Sequence, residues 1–240
     1  MNPLAESGTP DLELHGAKTG NCLRAAIALS EAGLLYKTRY VDLGRGEQRD
    51  QSRLALNPAG KVPVLVARGS VNVQAFVLTQ SSAILFYADA EAPGRILPSH
   101  ADHARIRALE AFFYFTSDVI SLNGAAFSLR GPEFSAAAAT PTERYLAAIG
   151  ASERFLIGNE FMGGTSFSIA DIAAFTVISA VSRHLPWNQL ARLAVWHDRI
   201  AHRPAVQTGM TAFDDERETV NQAKDLAERR HKQRTTSQGA

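Results

Sequence analysis

The sequence predicts an α/β domain of order βαβαββα followed by an all-α domain, and three observations carry this prediction. Apolar runs that alternate like strands occur only before residue 92, with helical patterns between them. The segment 92–101 contains two prolines and a glycine, a composition typical of an interdomain linker. After this segment, the apolar residues recur at helical spacing.

The first domain is predicted to cover residues 11–91. A strand, a helix and a second strand, followed by a hairpin and a last helix, give a mixed sheet with helices on its faces. The helix after the first strand is predicted to end near Gly33, and the segment 42–56 to be a loop with one helical turn. The remaining elements are predicted strands near 12–15, 36–41, 62–67 and 71–77, and a helix at 81–90.

The second domain is predicted to cover residues 102–213. A near-capping box from Ser168 to Asp171 predicts a helix start with a role in folding, since such boxes satisfy the first backbone amides of a helix. Residues 214–240 form a charged tail, either solvated and disordered or able to bind an anionic partner. Helices are predicted near 102–129, 141–158, 168–183 and 190–202, with the alanine run 136–139 in a loop or at a helix start.

The composition narrows the classes of function. A net charge of +1 over 240 residues provides no field for attracting nucleic acid or an anionic membrane, so a small molecule is the expected partner. The single cysteine, Cys22, rules out an intrachain disulfide and favours a reducing compartment. The first residues have no signal-peptide pattern, and no apolar run approaches the ~18 residues that span a membrane. A cytoplasmic location is expected, and no metal site is predicted.

Two segments, 57–65 and 78–85, together predict a site for a small peptide. A cis bond before Pro63 would leave the backbone N–H and C=O of Val62 unpaired at a strand edge, where a second peptide could pair with them. Ser81 lies where a strand gives way to a helix, a position that suits a carboxylate. The plainer alternatives are a trans proline at a strand start and a simple helix cap.

In this order and spacing, these motifs and the capping box resemble the cytosolic glutathione transferase superfamily, over roughly residues 11–212. The resemblance is to bacterial classes, nu and beta among them. It implies a thioredoxin-like first domain, glutathione as co-substrate and a homodimer. It also implies an enzyme that activates the glutathione thiolate for attack on a small electrophile of apolar or aromatic character.

The resemblance assigns glutathione contacts to matched positions. The Val62 backbone would pair with the cysteinyl unit, and Pro63 would shape that contact. Gln80 and Ser81 would hold the γ-glutamyl carboxylate, although most relatives have glutamate in place of Gln80. The glycyl carboxylate would be held by two further residues, which are also ordinary types for an exposed loop: Gln48 and Lys61.

Three residues near the start of the first helix are candidates for activating the thiol. Lowering a thiol pKa from ~8.5 by about two units requires ~2.7 kcal/mol, which one hydrogen bond to the anion and a helix N-terminus can supply. Thr19 with Asn21 resembles the Thr-x-Asn of nu-class and yeast prion-like relatives. Cys22 is the rival: exposed, its thiolate could form a mixed disulfide with glutathione; otherwise it is a small packed residue.

Phe112, Phe113 and Phe115 are candidates for lining a pocket for the second substrate. Helical periodicity lets only some of them face the cleft, so the others would belong to the core or a subunit interface. Two alternative functions stay open beside conjugation. One is a glutathione-dependent disulfide reductase or thioether-cleaving enzyme, and the other is a non-catalytic binding protein that keeps the fold.

Overall fold

A computed structural model describes residues 12–68, 75–99, 103–129 and 131–214 of the chain. Within these ranges the first domain has the order βαβαββα, which confirms the prediction. Its elements are β1 Leu12–Gly16, α1 Gly20–Ala32, β2 Lys37–Tyr40, α2 Gln51–Leu56, β3 Val64–Ala67, β4 Phe76–Leu78 and α3 Ser81–Glu91. The predicted strand 71–77 lies partly outside the described residues, and its described part ends one residue later than predicted.

The four strands form one mixed sheet in the order β2-β1-β3-β4. Strand β2 runs parallel to β1, whereas β3 is antiparallel to both β1 and β4. Leu14 pairs with Leu65 across the centre of the sheet, and both side chains are fully buried. The apolar run of β3 follows from this position, because a central strand covered on both faces has no solvent-facing side. Strand β1 instead alternates Leu12 and Leu14 with Glu13 and His15, which are buried as well.

Helix α1 is buried along most of its length. It begins after the N-cap Thr19 and ends at Gly33, whose positive φ of 73° is the left-handed conformation that glycine adopts at low cost. The helix packs against α3 in its own domain and against two helices of the second domain. One of these two helices contains Gly209, where an added Cβ would lie 2.6 Å from the Ile27 backbone nitrogen.

The second domain is helical throughout its described residues. Its elements are α4 His103–Tyr114, which continues through π-helical Phe115–Ile120 into α5 Ser121–Ser128, then α6 Ser135–Ala151, α7 Ile169–Val181, α8 Ala191–Ala201 and α9 Pro204–Thr211. The predicted start of the second helix near 141 is wrong. The alanine run lies inside α6, which accommodates Pro141 in its interior. Helix α9 was not predicted, although Pro204 at its first turn is a start signal.

The predicted capping box starts α7. Asp171 accepts a hydrogen bond from the Ser168 N–H at 2.9 Å, and Ser168 Oγ accepts one from the Ala170 N–H at 3.3 Å. The Asp171 carboxylate also accepts from the Met162 N–H and the Trp196 indole N–H, both at 2.8 Å. Burial raises the pKa of Asp171 to about 6, with these donors acting in the opposite direction.

The predicted linker packs closely where it is described. Residues 92–99 contain turns and no regular element, but Ile96 and Leu97 are fully buried. The Ile96 carbonyl accepts a hydrogen bond from Ile169 N–H at 2.8 Å, which ties the segment to the start of α7. In the described part of the chain, none of the helices combines the length and apolar character that crossing a bilayer requires.

Candidate functional site

At the start of α1, the hydroxyl oxygen of Thr19 already accepts a hydrogen bond. Thr19 has extended backbone angles typical of an N-cap, and its Oγ1 accepts a hydrogen bond from the Cys22 N–H at 3.4 Å. The cap does not use the hydroxyl proton, which remains for donation. The first turn of α1 contains no acidic residue, so its partial positive charge is not neutralised from within the helix.

Asn21, in the same turn, is held in one orientation. Its side chain is exposed, and Oδ1 accepts a hydrogen bond from Arg24 Nη1 at 2.7 Å. Because the carbonyl oxygen is occupied, the amide nitrogen of Asn21 faces away from Arg24 with both protons free among the described residues. Thr19 and Asn21 together therefore present donors at a positive helix end, an arrangement suited to an anion.

The start of α3 is a second donor site. Ser81 is its first residue and is 9% exposed, while Gln80 is the exposed N-cap and makes no side-chain cap bond. Ser81 Oγ accepts a hydrogen bond from Arg24 Nη1 at 3.1 Å, so its own proton is left to donate. With the first amides of α3 unused by the helix, this site suits a carboxylate.

Arg24 joins the two sites, and sequence reasoning missed it. Its side chain is only 2% exposed, Nε has no hydrogen-bond partner, and no carboxylate pairs with it among the described residues. Burial lowers the pKa of Arg24 to about 10. The available signal was the apolar stretch that follows it in α1, since a helix apolar on all sides has no solvent face for an arginine.

The loop before β3 carries a cis peptide bond between Val62 and Pro63, as predicted. Pro63 is buried, and the N–H and C=O of Val62 have no hydrogen-bond partner within the described ranges. Asn57 fixes the loop: its Nδ2 donates to the Lys61 carbonyl at 2.7 Å, and its Oδ1 accepts from the Ala59 N–H at 3.1 Å. Val62 therefore offers the unpaired backbone groups that the sequence led us to expect.

Lys61 lies on the loop before β3, next to the short 3-10 helix Glu47–Arg49 that contains Gln48. Gly60, with φ +59°, precedes Lys61, and a Cβ there would lie 3.6 Å from the Gln48 carbonyl oxygen. Lys61 is exposed and has no ion-pair partner in the described part of the chain. Gln48 Oε1 is buried without a hydrogen-bond partner. Lys61 thus keeps its ammonium group for a ligand, whereas Gln48 would have to contribute its amide N–H, because a buried carbonyl oxygen does not bind a carboxylate.

Cys22 is a packed residue, so the prediction of a catalytic Cys22 is wrong for this conformation. Its side chain is fully buried, and a Cβ added to Gly16 would meet the Cys22 sulfur at 2.9 Å. Burial raises the pKa of the Cys22 thiol, with Thr19 and Arg24 opposing that rise in part. A buried thiol with a raised pKa is a poor nucleophile at neutral pH.

Two of the three phenylalanines predicted to line a substrate pocket belong to the core. Phe112 is 1% exposed and packs edge-on against Phe86, and Phe115 is fully buried against Tyr114. Neither ring can contact a substrate, because the helical period turns both toward the packed interior. Phe113 is 54% exposed, although its ring also meets the ring of Phe112 edge-on.

An open cavity of about 750 Å³ lies in the second domain between α5, α6 and the residues after α7. Its lining combines the aromatic rings of Phe127 and Tyr145 with the polar side chains of Arg183 and His184, which follow α7. Helix α7 also passes the start of α1, where a Cβ on Gly20 would lie 3.7 Å from the Thr176 carbonyl oxygen. The cavity therefore lies beyond the C-terminal end of the helix whose middle contacts the start of α1.

Residues 20–91 match the family model of the glutathione S-transferase N-terminal domain. The chain is 29% identical over 202 residues to the disulfide-bond oxidoreductase YfcG of Escherichia coli, which covers 81% of this chain and 92% of YfcG. It is 27% identical over 205 residues to glutathione S-transferase 1 of Schizosaccharomyces pombe, which covers 77% and 88%.

Solved structures share the fold. A glutathione transferase from Burkholderia graminis, with two glutathione molecules bound per subunit, superposes with a TM-score of 0.75 at 24% identity, covering 87% of this chain and 90% of the other. The glutathione transferase URE2P8 from Phanerochaete chrysosporium, with oxidised glutathione, gives a TM-score of 0.75 at 23% identity, covering 90% and 99%.

Proposed function

The chain belongs to the cytosolic glutathione transferase superfamily, and we propose that it is a glutathione-utilising enzyme that activates the glutathione thiol with Thr19. The observation that carries this proposal is the pair of donors at the start of α1. Asn21 Oδ1 accepts a hydrogen bond from Arg24, which leaves the Asn21 amide protons free, and Thr19 Oγ1 accepts one from the Cys22 N–H, which leaves its hydroxyl proton to donate. A thiolate accepts such protons better than a neutral thiol does, which lowers the thiol pKa.

The other proposed contacts would position the tripeptide. The Val62 N–H and C=O would pair with the cysteinyl unit, as one strand pairs with another, and buried Pro63 would hold that edge in place. Ser81, with Gln80 beside it, would hold the γ-glutamyl carboxylate at the start of α3. Lys61 and Gln48 would hold the glycyl carboxylate, with Lys61 supplying the full charge.

The proposed reaction is conjugation. The glutathione thiol gives its proton to solvent, and Thr19 stabilises the thiolate that remains. The thiolate attacks an electrophilic carbon, an S–C bond forms, and the leaving group departs with its electron pair. An apolar or aromatic electrophile would occupy the cavity that Phe127 and Tyr145 line.

Disulfide reduction is the second candidate, and the likeness to the E. coli disulfide-bond oxidoreductase favours it. Here the glutathione thiolate attacks a disulfide sulfur and releases a thiolate, and a second glutathione reduces the mixed disulfide to give oxidised glutathione. Because Cys22 is buried, both thiols that reduce the substrate disulfide would come from glutathione and not from the protein.

Isothermal calorimetry with glutathione tests the shared proposal. We expect saturable heat with the wild type, an affinity reduced about tenfold or more in Ser81→Ala, and wild-type affinity in Ser82→Ala, which changes the adjacent hydroxyl. Absence of heat with the wild type would contradict glutathione use. Rates with chlorodinitrobenzene and hydroxyethyl disulfide then distinguish conjugation from reduction. Binding without either rate would instead support the non-catalytic binding protein.

A homodimer is proposed as well, because α4 exposes apolar residues on one face. Ile106 and Phe113 are seven residues apart, or two helical turns, and are 64% and 54% exposed. Phe113 would then pack at a subunit interface and not in a substrate pocket. Light scattering should give twice the mass of the chain, and Phe113→Glu should shift it toward the monomer.

A further inference from the structure

We propose that Arg24 is a positioning residue that sets how the ligand is recognised. It holds Asn21 and Ser81 as donors and makes the γ-glutamyl carboxylate, and not the neighbouring ammonium group, the charge that the site selects. This inference rests on the proposed use of glutathione and adds to it a residue and a selectivity.

A single nitrogen atom bridges the two parts of the site. Arg24 Nη1 donates to Asn21 Oδ1 at 2.7 Å and to Ser81 Oγ at 3.1 Å, although Asn21 starts α1 and Ser81 starts α3. Each contact occupies an acceptor and leaves protons on the opposite side of the group. Removing the guanidinium would therefore free both side chains to rotate, and the donors would no longer be held in place for a ligand.

The charge balance favours an anion. Arg24 is buried without a carboxylate partner in the described part of the chain, and an unpaired buried cation is unfavourable. Neither α1 nor α3 has an acidic residue in its first turn. Beside Ser81, Gln80 presents a neutral amide to any ammonium group. A carboxylate at Ser81 would be stabilised both by the α3 N-terminus and by the nearby charge of Arg24.

Two analogues of glutathione separate the two charges. Glutaryl-cysteinylglycine lacks the ammonium group, and γ-aminobutyryl-cysteinylglycine lacks the α-carboxylate. By calorimetry, we expect the wild type to bind the first within about threefold of glutathione and the second at least about tenfold more weakly. The proposal is wrong if glutaryl-cysteinylglycine binds more than tenfold more weakly than glutathione.

Arg24→Met tests the residue, with Arg144→Met on an exposed stretch of α6 as the matched control. In Arg24→Met the preference for glutathione over γ-aminobutyryl-cysteinylglycine should fall to about threefold or less, and the kinetic pKa of the bound thiol should rise. Arg144→Met should change neither. Arg24→Lys keeps the charge but not the planar guanidinium, so it should recover the carboxylate preference more than the thiol pKa.

A purely structural role for Arg24 would give a different result. Arg24→Met would then weaken glutathione and both analogues by one common factor, and this outcome would overturn the proposal. If Arg24→Met does not fold, Gln80→Glu decides the matter: the new charge should make glutathione bind at least about fivefold better than glutaryl-cysteinylglycine. No change in that ratio would contradict the proposed selectivity. Wild-type protein that does not bind glutathione at all would instead defeat the proposed function.

Discussion

The starts of α1 and α7 share a hydroxyl N-cap, but only α7 has the acidic residue that completes a capping box. Each helix begins after a hydroxyl N-cap, Thr19 in one case and Ser168 in the other. At α7, Asp171 in the third helical position closes a buried box with Ser168 and accepts hydrogen bonds from two further groups, the Met162 N–H and the Trp196 indole N–H. At α1 the third position is Cys22, and no acid fills the first turn.

This difference separates a helix start that is completed within the protein from the helix start to which we assign activation of the thiol. The α7 start contains its own anion, so its donors are used within the protein and contribute to stability. The α1 start lacks an internal anion, and its donors remain for a ligand. A hydroxyl cap in a sequence therefore predicts a binding site only where the acid that would complete the box is missing.

Asp171→Ala should give the largest effect. It removes the shared acceptor of the Met162, Ser168 and Trp196 donors, each of which costs about 1–3 kcal/mol when buried and unsatisfied. We expect the free energy of unfolding, measured with urea, to fall by about 3 kcal/mol or more. Exposed Asp198 on α8 is the control, and its alanine variant should stay within about 0.5 kcal/mol of wild type. A loss below 1 kcal/mol for Asp171→Ala would contradict the role of the box.

Thr19→Ala should act on the reaction more than on stability. Losing one hydrogen bond to a thiolate costs about 1.5–3 kcal/mol, so the kinetic pKa of the bound thiol should rise by roughly 1–2 units. The rate should fall about 10- to 100-fold below that pKa and recover as pH rises through it. The pH–rate profile measures this shift, and Thr19→Ser should keep the wild-type profile. An unshifted profile in Thr19→Ala would show that another group activates the thiol.

Gly20→Asp would place an acid in the first turn of α1 and make it more like α7. The site has room, because a Cβ on Gly20 makes an ordinary 3.7 Å contact with Thr176. The acid should stabilise the helix start by about 0.3–1 kcal/mol while raising the pKa of the bound thiol by repulsion. Gly20→Asn has nearly the same shape without the charge. Equal pKa values of the bound thiol in the two variants would show that charge at the start of α1 does not influence the thiol.

Cys22→Ala should have the smallest effect on the reaction. Because the Cys22 sulfur is buried and cannot reach a ligand, activity should remain within about twofold of wild type, while the free energy of unfolding falls by about 1 kcal/mol. In the native wild type, a thiol reagent should label Cys22 only after unfolding. A loss of activity comparable to that of Thr19→Ala would reverse the present assignment.

The fold could be predicted from the sequence because its main signals are local. Strand alternation and the Ser168 to Asp171 box each depend on neighbouring residues, and both correspond to elements of the structure. The cis bond before Pro63, which leaves the Val62 backbone unpaired, was also predictable, since only an X-Pro bond adopts the cis form at low cost. The start of α6 was not predictable, because a proline usually marks the first turn of a helix, whereas Pro141 lies inside α6 after the helix-forming alanines.

The parts of the site that depend on long-range packing could not be predicted. Arg24 contacts Ser81 across 57 positions of sequence, a distance that periodicity does not report. The same limit applies to Phe112 and Phe115: their spacing shows that they share a face of the helix, but not whether that face meets a cleft or the core.

The close approach of Gly209 to Ile27 has a consequence for recombination between relatives. No side chain fits at Gly209, because any Cβ would collide with backbone atoms of Ile27. The helix that carries Thr19 is therefore fitted to α9 near the other end of the sequence. A chimaera cut at residue 92 would separate two surfaces that match each other, so a first domain exchanged between relatives should be transferred together with α9.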